Sequence, residues 1–135
     1  MADMQALFPH MAETDGVIVR VSVSFLAEQS DPAKGRWFWA YHIRIENRGD
    51  TVVQLLDRHW TIVDGRGARQ EVRGEGVVGE RPVIEPGKSY DYVSGCPLNT
   101  PTGAMEGSYH MVREDGSGFD AAIPRFPLIG PAVAR

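Results

Sequence analysis

The chain has 135 residues, of which 42% are apolar and 24% charged, and its 14 basic and 18 acidic side chains leave a net charge of −4. That length fits one domain able to bury about two-thirds of its unfolded surface. The acidic balance argues against non-specific attachment to nucleic acid or anionic lipid, and no segment approaches the roughly 20 apolar residues of a membrane span.

The opening stretch, Met1 to Met11, has no basic residue and no sustained apolar run, so it lacks both parts of a secretory signal. Residues 1–14 read as a flexible segment ahead of a domain over residues 15–127, and residues 128–135 as a tail, because neither end carries a pattern. From Val17 the apolar residues recur with period two. Val17, Val19, Val21, Val23 and Phe25 share one face, and Arg20, Ser22 and Ser24 share the other, which is the signature of a half-buried strand. Trp37, Trp39, Tyr41, Ile43 and Ile45 repeat it, opposed by Phe38, His42, Arg44 and Glu46.

Asn47-Arg48-Gly49-Asp50 supplies turn residues before a third strand, Val52 to Val63. Alternation fails near Asp57-Arg58, which predicts a bulge with these two side chains paired. Asp64-Gly65-Arg66-Gly67 is a turn, and Ala68 to Arg73 a return strand. Pro82–Ile84, Ser89–Ser94, Ala104–Arg113 and Phe119–Ile123 follow as short strands with turn signals between them. Seven or eight short antiparallel strands, with no Gly- and Pro-free helical stretch between any two, predict an all-β sandwich or barrel.

Gly74-Glu75-Gly76-Val77-Val78-Gly79 spells G-x-G-x-x-G, yet Pro82 and Pro86 forbid the helix that a dinucleotide-binding turn must open. A kinase-type glycine loop is also excluded, since no H-R-D or D-F-G segment accompanies it. Two readings stay open. The glycines are architectural, or they hold an anion with Gly74, Gly76, Gly79, Arg73 and Arg81 as its site.

His10, His42, His59 and His110 show no metal-ligand spacing, and Cys96 stands alone, which suits a reducing, cytoplasmic setting and leaves no internal disulfide. Cys96 reads as a small buried residue, His42 and His110 as hydrogen-bonded strand histidines, and Glu71, Glu75 and Glu80 as solvated loop carboxylates. No catalytic residue, metal site or cofactor is expected.

Several segments together resemble the bacterial ApaG family. In order they are Gln29-Ser30-Asp31-Pro32, the strand Ala40 to Asn47, Val53 to Trp60 with its R-H-W, the G-x-G-x-x-G-x-x-P of Gly74 to Pro82, Glu85-Pro86-Gly87, Tyr92 to Leu98, and Met105 to Met111. The likeness spans about Val17 to Pro127. It implies a fibronectin type III or immunoglobulin-like β-sandwich with no established enzyme activity, related to interaction modules in eukaryotic F-box proteins. It also implies a loose association with cobalt and magnesium handling, and with diadenosine tetraphosphate through gene neighbourhood. The expected function is therefore protein–protein interaction by a monomer or weak homodimer. The alternative is a sensor of pyrophosphate or a nucleotide at Gly74, Gly76 and Gly79, and a hydrolase using Cys96 or His59 is a third, weaker reading.

Overall fold

The period-two stripes become the inner faces of two packed antiparallel sheets in a computed structural model that describes residues 3–131. The strands are β1 (His10–Thr14), β2 (Val17–Phe25), β3 (Trp37–Asn47), β4 (Val53–Asp64), β5 (Arg69–Glu75), β6 (Val83–Ile84), β7 (Ser89–Leu98), β8 (Thr102–Arg113) and β9 (Gly118–Ile129). One sheet runs β1-β2-β3-β7. The other runs β5-β4-β8-β9, with β6 paired to the start of β4. This is an all-β sandwich of the fibronectin type III kind, as the sequence predicts, with one strand more than the eight expected.

The additional strand is β1, paired with β2 from His10↔Val21 to Thr14↔Val17. Before it, α1 (Met4–Leu7) makes one turn, capped by Asp3 Oδ1, which accepts from the Gln5 amide at 3.0 Å. Phe8 follows, buried edge-on against His42 at 4.9 Å between ring centroids. Of the segment expected to be flexible, His10–Thr14 form a strand of the sheet and Phe8 is buried beside it, while Met4–Leu7 bury no residue. The period was invisible because β1 is short and half-exposed, with a burial pattern too shallow to alternate apolar and polar residues. At the other end β9 continues to Ile129, with Leu128 fully buried and the Trp39 indole donating to the Ile129 carbonyl at 3.0 Å. The expected tail therefore begins later than residue 128, and its remainder, 132–135, lies outside the described residues, as do residues 1–2.

The core is aromatic where the sheets meet. Tyr41 packs on Trp60 at 5.3 Å, Trp60 on Phe126 at 6.1 Å and Phe25 on Trp39 at 5.5 Å, all inclined edge-to-face. Two bulges set which residues take part. In β4 the register against β8 slips between Leu55 and Asp57, where the sequence places it. In β9 two residues, Pro124 and Arg125, stand opposite the single Glu106 of β8, between Ile123 and Phe126. Each extra residue reverses the parity of the strand, since successive side chains face opposite ways. Before the first bulge Val53 and Leu55 face inward, and after it Trp60 does. Before the second Ala121 and Ile123 face inward, and after it Phe126 and Leu128 do.

The sandwich is closed along one side and open along the other. At the closed side β1 lies against β9: the Ala122 amide donates to Thr14 Oγ1 at 3.0 Å, and the His10 ring sits 6.1 Å from that of Phe126. At the other side the unpaired edges of β5 and β7 face each other. Pro97 on β7, and Pro124 and Pro127 on β9, sit on edge strands, where a missing amide donor costs least.

On the outer face of the first sheet, Glu46 is buried among three guanidiniums. Its Oε2 accepts from Arg20 Nε at 3.1 Å and Arg44 Nε at 2.8 Å, and its Oε1 from Arg48 Nη2 at 3.1 Å. Burial pushes the carboxyl up, but the bonds from Arg44 and Arg20 outweigh it, so its pKa lies below the usual value. A depressed folded-state pKa stabilises above the unfolded pKa and ceases to do so as pH falls through the folded value. Glu46→Gln is therefore expected to cost about 2 kcal/mol in urea unfolding near neutral pH. The difference from the wild type should vanish as the solution is acidified below the carboxylate range, and a difference independent of pH would contradict the charge-based account.

Candidate functional site

The bulge in β4 has a chemical consequence. It puts Arg58 two residues before Trp60 and on the same inward face, so a guanidinium enters the space between the sheets. Asp57 and His59 are turned to the outer face. The expected Asp57–Arg58 pair does not form, because the two side chains leave opposite sides of the strand, and Asp57 instead lies 3.8 Å from Arg81. Arg58 Nη1 donates to the carbonyls of Glu75 and Gly76, both at 2.9 Å, and the flat guanidinium lies over Gly74. A Cβ at Gly74 would meet it at 2.7 Å. Among the described residues no carboxylate pairs with Arg58, and its Nε and Nη2 carry no hydrogen bond within the protein.

Three tyrosines surround this cation. The hydroxyls of Tyr92 and Tyr109 are hydrogen-bonded to each other within the core. Burial raises the pKa of all three phenols, Tyr109 most strongly and Tyr92 and Tyr41 after it, so each remains a neutral hydroxyl at any physiological pH. Tyr41 stands directly opposite Ser94 on β7. The opening between β5 and β7 has two overlapping lobes. One, of about 300 Å³, lies among Tyr41, Arg58, Tyr92, Ser94 and the Val77–Gly79 turn. The other, of about 270 Å³, runs from the same Arg58 and Trp60 toward Val72, Cys96 and Met105.

The glycine segment closes one end of this opening. Gly76 takes φ +60° and its amide donates to the Leu56 carbonyl, and Val77 and Glu80 exchange both backbone hydrogen bonds around a turn with Val78 at φ +44° and Gly79 at φ +82°. Buried Val77 anchors the turn in the core, and the Tyr90 hydroxyl donates to Glu80 Oε2 at 3.0 Å, which ties it across to β7. Three of the segment's amides, those of Gly76, Val77 and Glu80, are thus spent on the protein itself.

The five residues singled out in the sequence do not converge on one point. Gly74 and Gly76 hold Arg58 from below and behind, and Gly79 forms the exposed turn. Arg73 opens onto the outer face of the sheet. Arg81 is occupied by the Leu56 carbonyl at 3.2 Å and by Glu75 at 3.3 Å. The residue that brings charge to the inner cleft, Arg58, stood in the R-H-W segment but was assigned to Asp57. The inward turn of the bulge was the missing signal.

A larger depression of about 440 Å³ lies on the outer face among His59, Arg73, Ser108, His110 and Asp120. Its histidines are engaged: His59 Nε2 is 2.8 Å from Glu71 Oε1, and His110 Nδ1 is 2.8 Å from Asp120 Oδ1. The bond from His59 holds the exposed Glu71 carboxyl below its usual pKa. His42 is likewise 2.8 Å from Asp91. Glu71, Glu75 and Glu80, read as one solvated cluster, have three separate partners in His59, Arg81 and Tyr90. Among the described residues no group of three His, Cys, Asp or Glu is placed to hold a metal ion, and no helix is long and apolar enough to cross a membrane. Cys96 is buried, as expected, and burial pushes its thiol up to about 11.

These features define a class: a fibronectin type III-like sandwich with one closed side, one open side, and a polar island of one arginine and three tyrosines at the opening. Residues 27–113 match the ApaG domain. The protein ApaG of Methylobacterium sp. (strain 4-46) is 56% identical over 93% of this chain and 97% of its own length. That of Afipia carboxidovorans has the same identity and coverage. In crystal structures, the ApaA protein of Bordetella pertussis superposes with a TM-score of 0.83 at 45% identity, covering 87% of this chain and 95% of that one. The chain belongs to the ApaG family.

Two measurements probe the site's construction. A Cβ at Gly76 would collide with the Glu80 carbonyl oxygen, whereas one at Gly79 would meet nothing within 4 Å. Gly79→Ala should therefore cost about 1 kcal/mol, the ordinary left-handed penalty, and Gly76→Ala about 3 kcal/mol or more in denaturant unfolding. Equal costs would contradict the turn geometry. Cys96 in the folded protein should react with iodoacetamide at pH 7.5 at least about a hundredfold more slowly than in urea, since both burial and the raised pKa withhold the thiolate. Comparable rates would show the thiol accessible.

Proposed function

We propose that the chain is a non-enzymatic binding module whose principal contact is with a protein partner at the open side of the sandwich. The observation that carries this is the unpaired β7 edge, a ten-residue strand with Val93 exposed on it and Val78 exposed on the adjoining turn. An unpaired strand offers a row of amides and carbonyls to an extended segment of a partner, and neighbouring apolar side chains add selectivity. A small cytoplasmic protein with its single thiol buried suits that role. The family's association with cobalt and magnesium is, on this reading, indirect and mediated by the partner.

A second reading is favoured by one feature. The amides of Val78 and Gly79 make no hydrogen bond within the described protein, so the turn keeps two donors for a phosphate-rich ligand such as pyrophosphate or a dinucleoside polyphosphate. The partner reading is tested by affinity capture from lysate with the wild type and with a Val78→Lys/Val93→Lys variant of equal thermal stability. A partner recovered by the wild type and reduced at least about tenfold by the charges, some 1.4 kcal/mol, is the expected result. Identical recovery by both proteins, or none above background, contradicts it.

A further inference from the structure

We propose that the cleft between β5 and β7 is a binding site for a small, singly charged carboxylate with an apolar or aromatic body, its head on Arg58 and its body directed toward Cys96 and Met105. The reasoning begins with charge. Arg58 is partly buried, has no carboxylate partner among the described residues, makes no hydrogen bond there through Nε or Nη2, and lines the lobe of about 300 Å³. A guanidinium in a poorly hydrated space strongly favours an anion, and its planar fork matches a carboxylate. Glu75 also borders this lobe, but its side chain is 83% exposed and turned to Arg81. Arg58 is therefore the charged group of this lobe that has no ion-pair partner among the described residues, whereas Glu75 is paired with Arg81. A ligand with two or more negative charges would leave the excess uncompensated in a low-dielectric site.

Hydroxyls complete the head site. Tyr41, Tyr92 and Ser94 line the same lobe; the Tyr92 hydroxyl is engaged by Tyr109, which leaves the neutral Tyr41 phenol and the Ser94 hydroxyl to donate. The body of the ligand is specified by the second lobe. Val72, Cys96 and Met105 border it, beyond the Tyr41, Arg58, Trp60 and Ser94 that both lobes share. An apolar surface beside a single oriented charge is the usual composition of a small-molecule pocket. Closure of one end by the Val77–Gly79 turn limits the occupant to a compact molecule and distinguishes this interior site from a partner strand laid along the β7 edge.

The test uses the full chain, labelled with ¹⁵N, and three probes: 3-phenylpropionate, its neutral amide and pyrophosphate. Phenylpropionate at up to about 10 mM should give saturable shifts at the amides of Ser94, Gly95, Cys96 and Gly79, and the neutral amide should bind at least about tenfold more weakly. Arg58→Gln should abolish the shifts, and Arg58→Lys should retain weakened binding. Because Arg58 also secures the glycine turn, the comparison of acid with amide on the wild type stands even if a variant misfolds. Equal binding of acid and amide, shifts confined to the outer face around His59 and His110, or no shift at all would overturn the proposal. Pyrophosphate binding in this cleft more tightly than phenylpropionate would overturn the single-charge assignment.

Discussion

One extra residue in β4 decides the character of the molecule. Without the slip between Leu55 and Asp57, strict alternation would put the side chain at position 58 on the solvent face, with Trp60, and would turn Asp57 and His59 inward. With it, a guanidinium is turned inward, and the protein must satisfy it. The carbonyls of Glu75 and Gly76 do so in part, and they reach it only because Gly74 lets the guanidinium lie against the backbone. The glycine segment is, in this light, a cradle for Arg58 before it is anything else. Its own hydrogen bonds, from the Gly76, Val77 and Glu80 amides, fix the shape of that cradle.

The two sides of the sandwich divide the labour. Where β1 meets β9, apolar and aromatic packing and the Thr14–Ala122 hydrogen bond seal the core. Where β5 faces β7, packing gives way to hydroxyls, the Arg58 cation and a cavity. Buried polar groups are costly unless paired, and among the described residues no buried side-chain nitrogen or oxygen lacks a partner. The polar island is therefore built without leaving an internal defect, while the uncommitted nitrogens of Arg58 stay available. The sealed side bears the stability that allows the other side to remain open.

Most of the architecture was legible in the order of residues. Period two located β2 and β3, turn signals located β8, and the failed alternation at Asp57-Arg58 located the bulge. Fold and family follow from these elements and from the R-H-W and glycine segments. Three things were not legible. β1 was missed because a strand of five half-exposed residues buries too little to show a stripe. The second half of β9, beyond Ile123, was not seen because it contains Pro124 and Pro127, residues uncommon in strands but tolerated on an edge where no amide is required. The role of Arg58 was misassigned, since a bulge predicts disrupted pairing but does not by itself say which neighbour turns inward. The glycine motif, by contrast, drew attention to the right region through the wrong residues: Arg73 and Arg81 point elsewhere, and the charge comes from the strand beneath.

The inward placement of Arg58 is the claim on which the rest depends, and side-chain NMR of its guanidinium tests it directly. At low temperature, with the arginine nitrogens labelled, the Arg58 guanidinium protons should show cross-relaxation to the rings of Tyr41 and Tyr92 and to the α protons of Gly74, and these signals should disappear in Arg58→Lys. Contacts to His59 and His110 instead would place the guanidinium on the outer face and contradict the account.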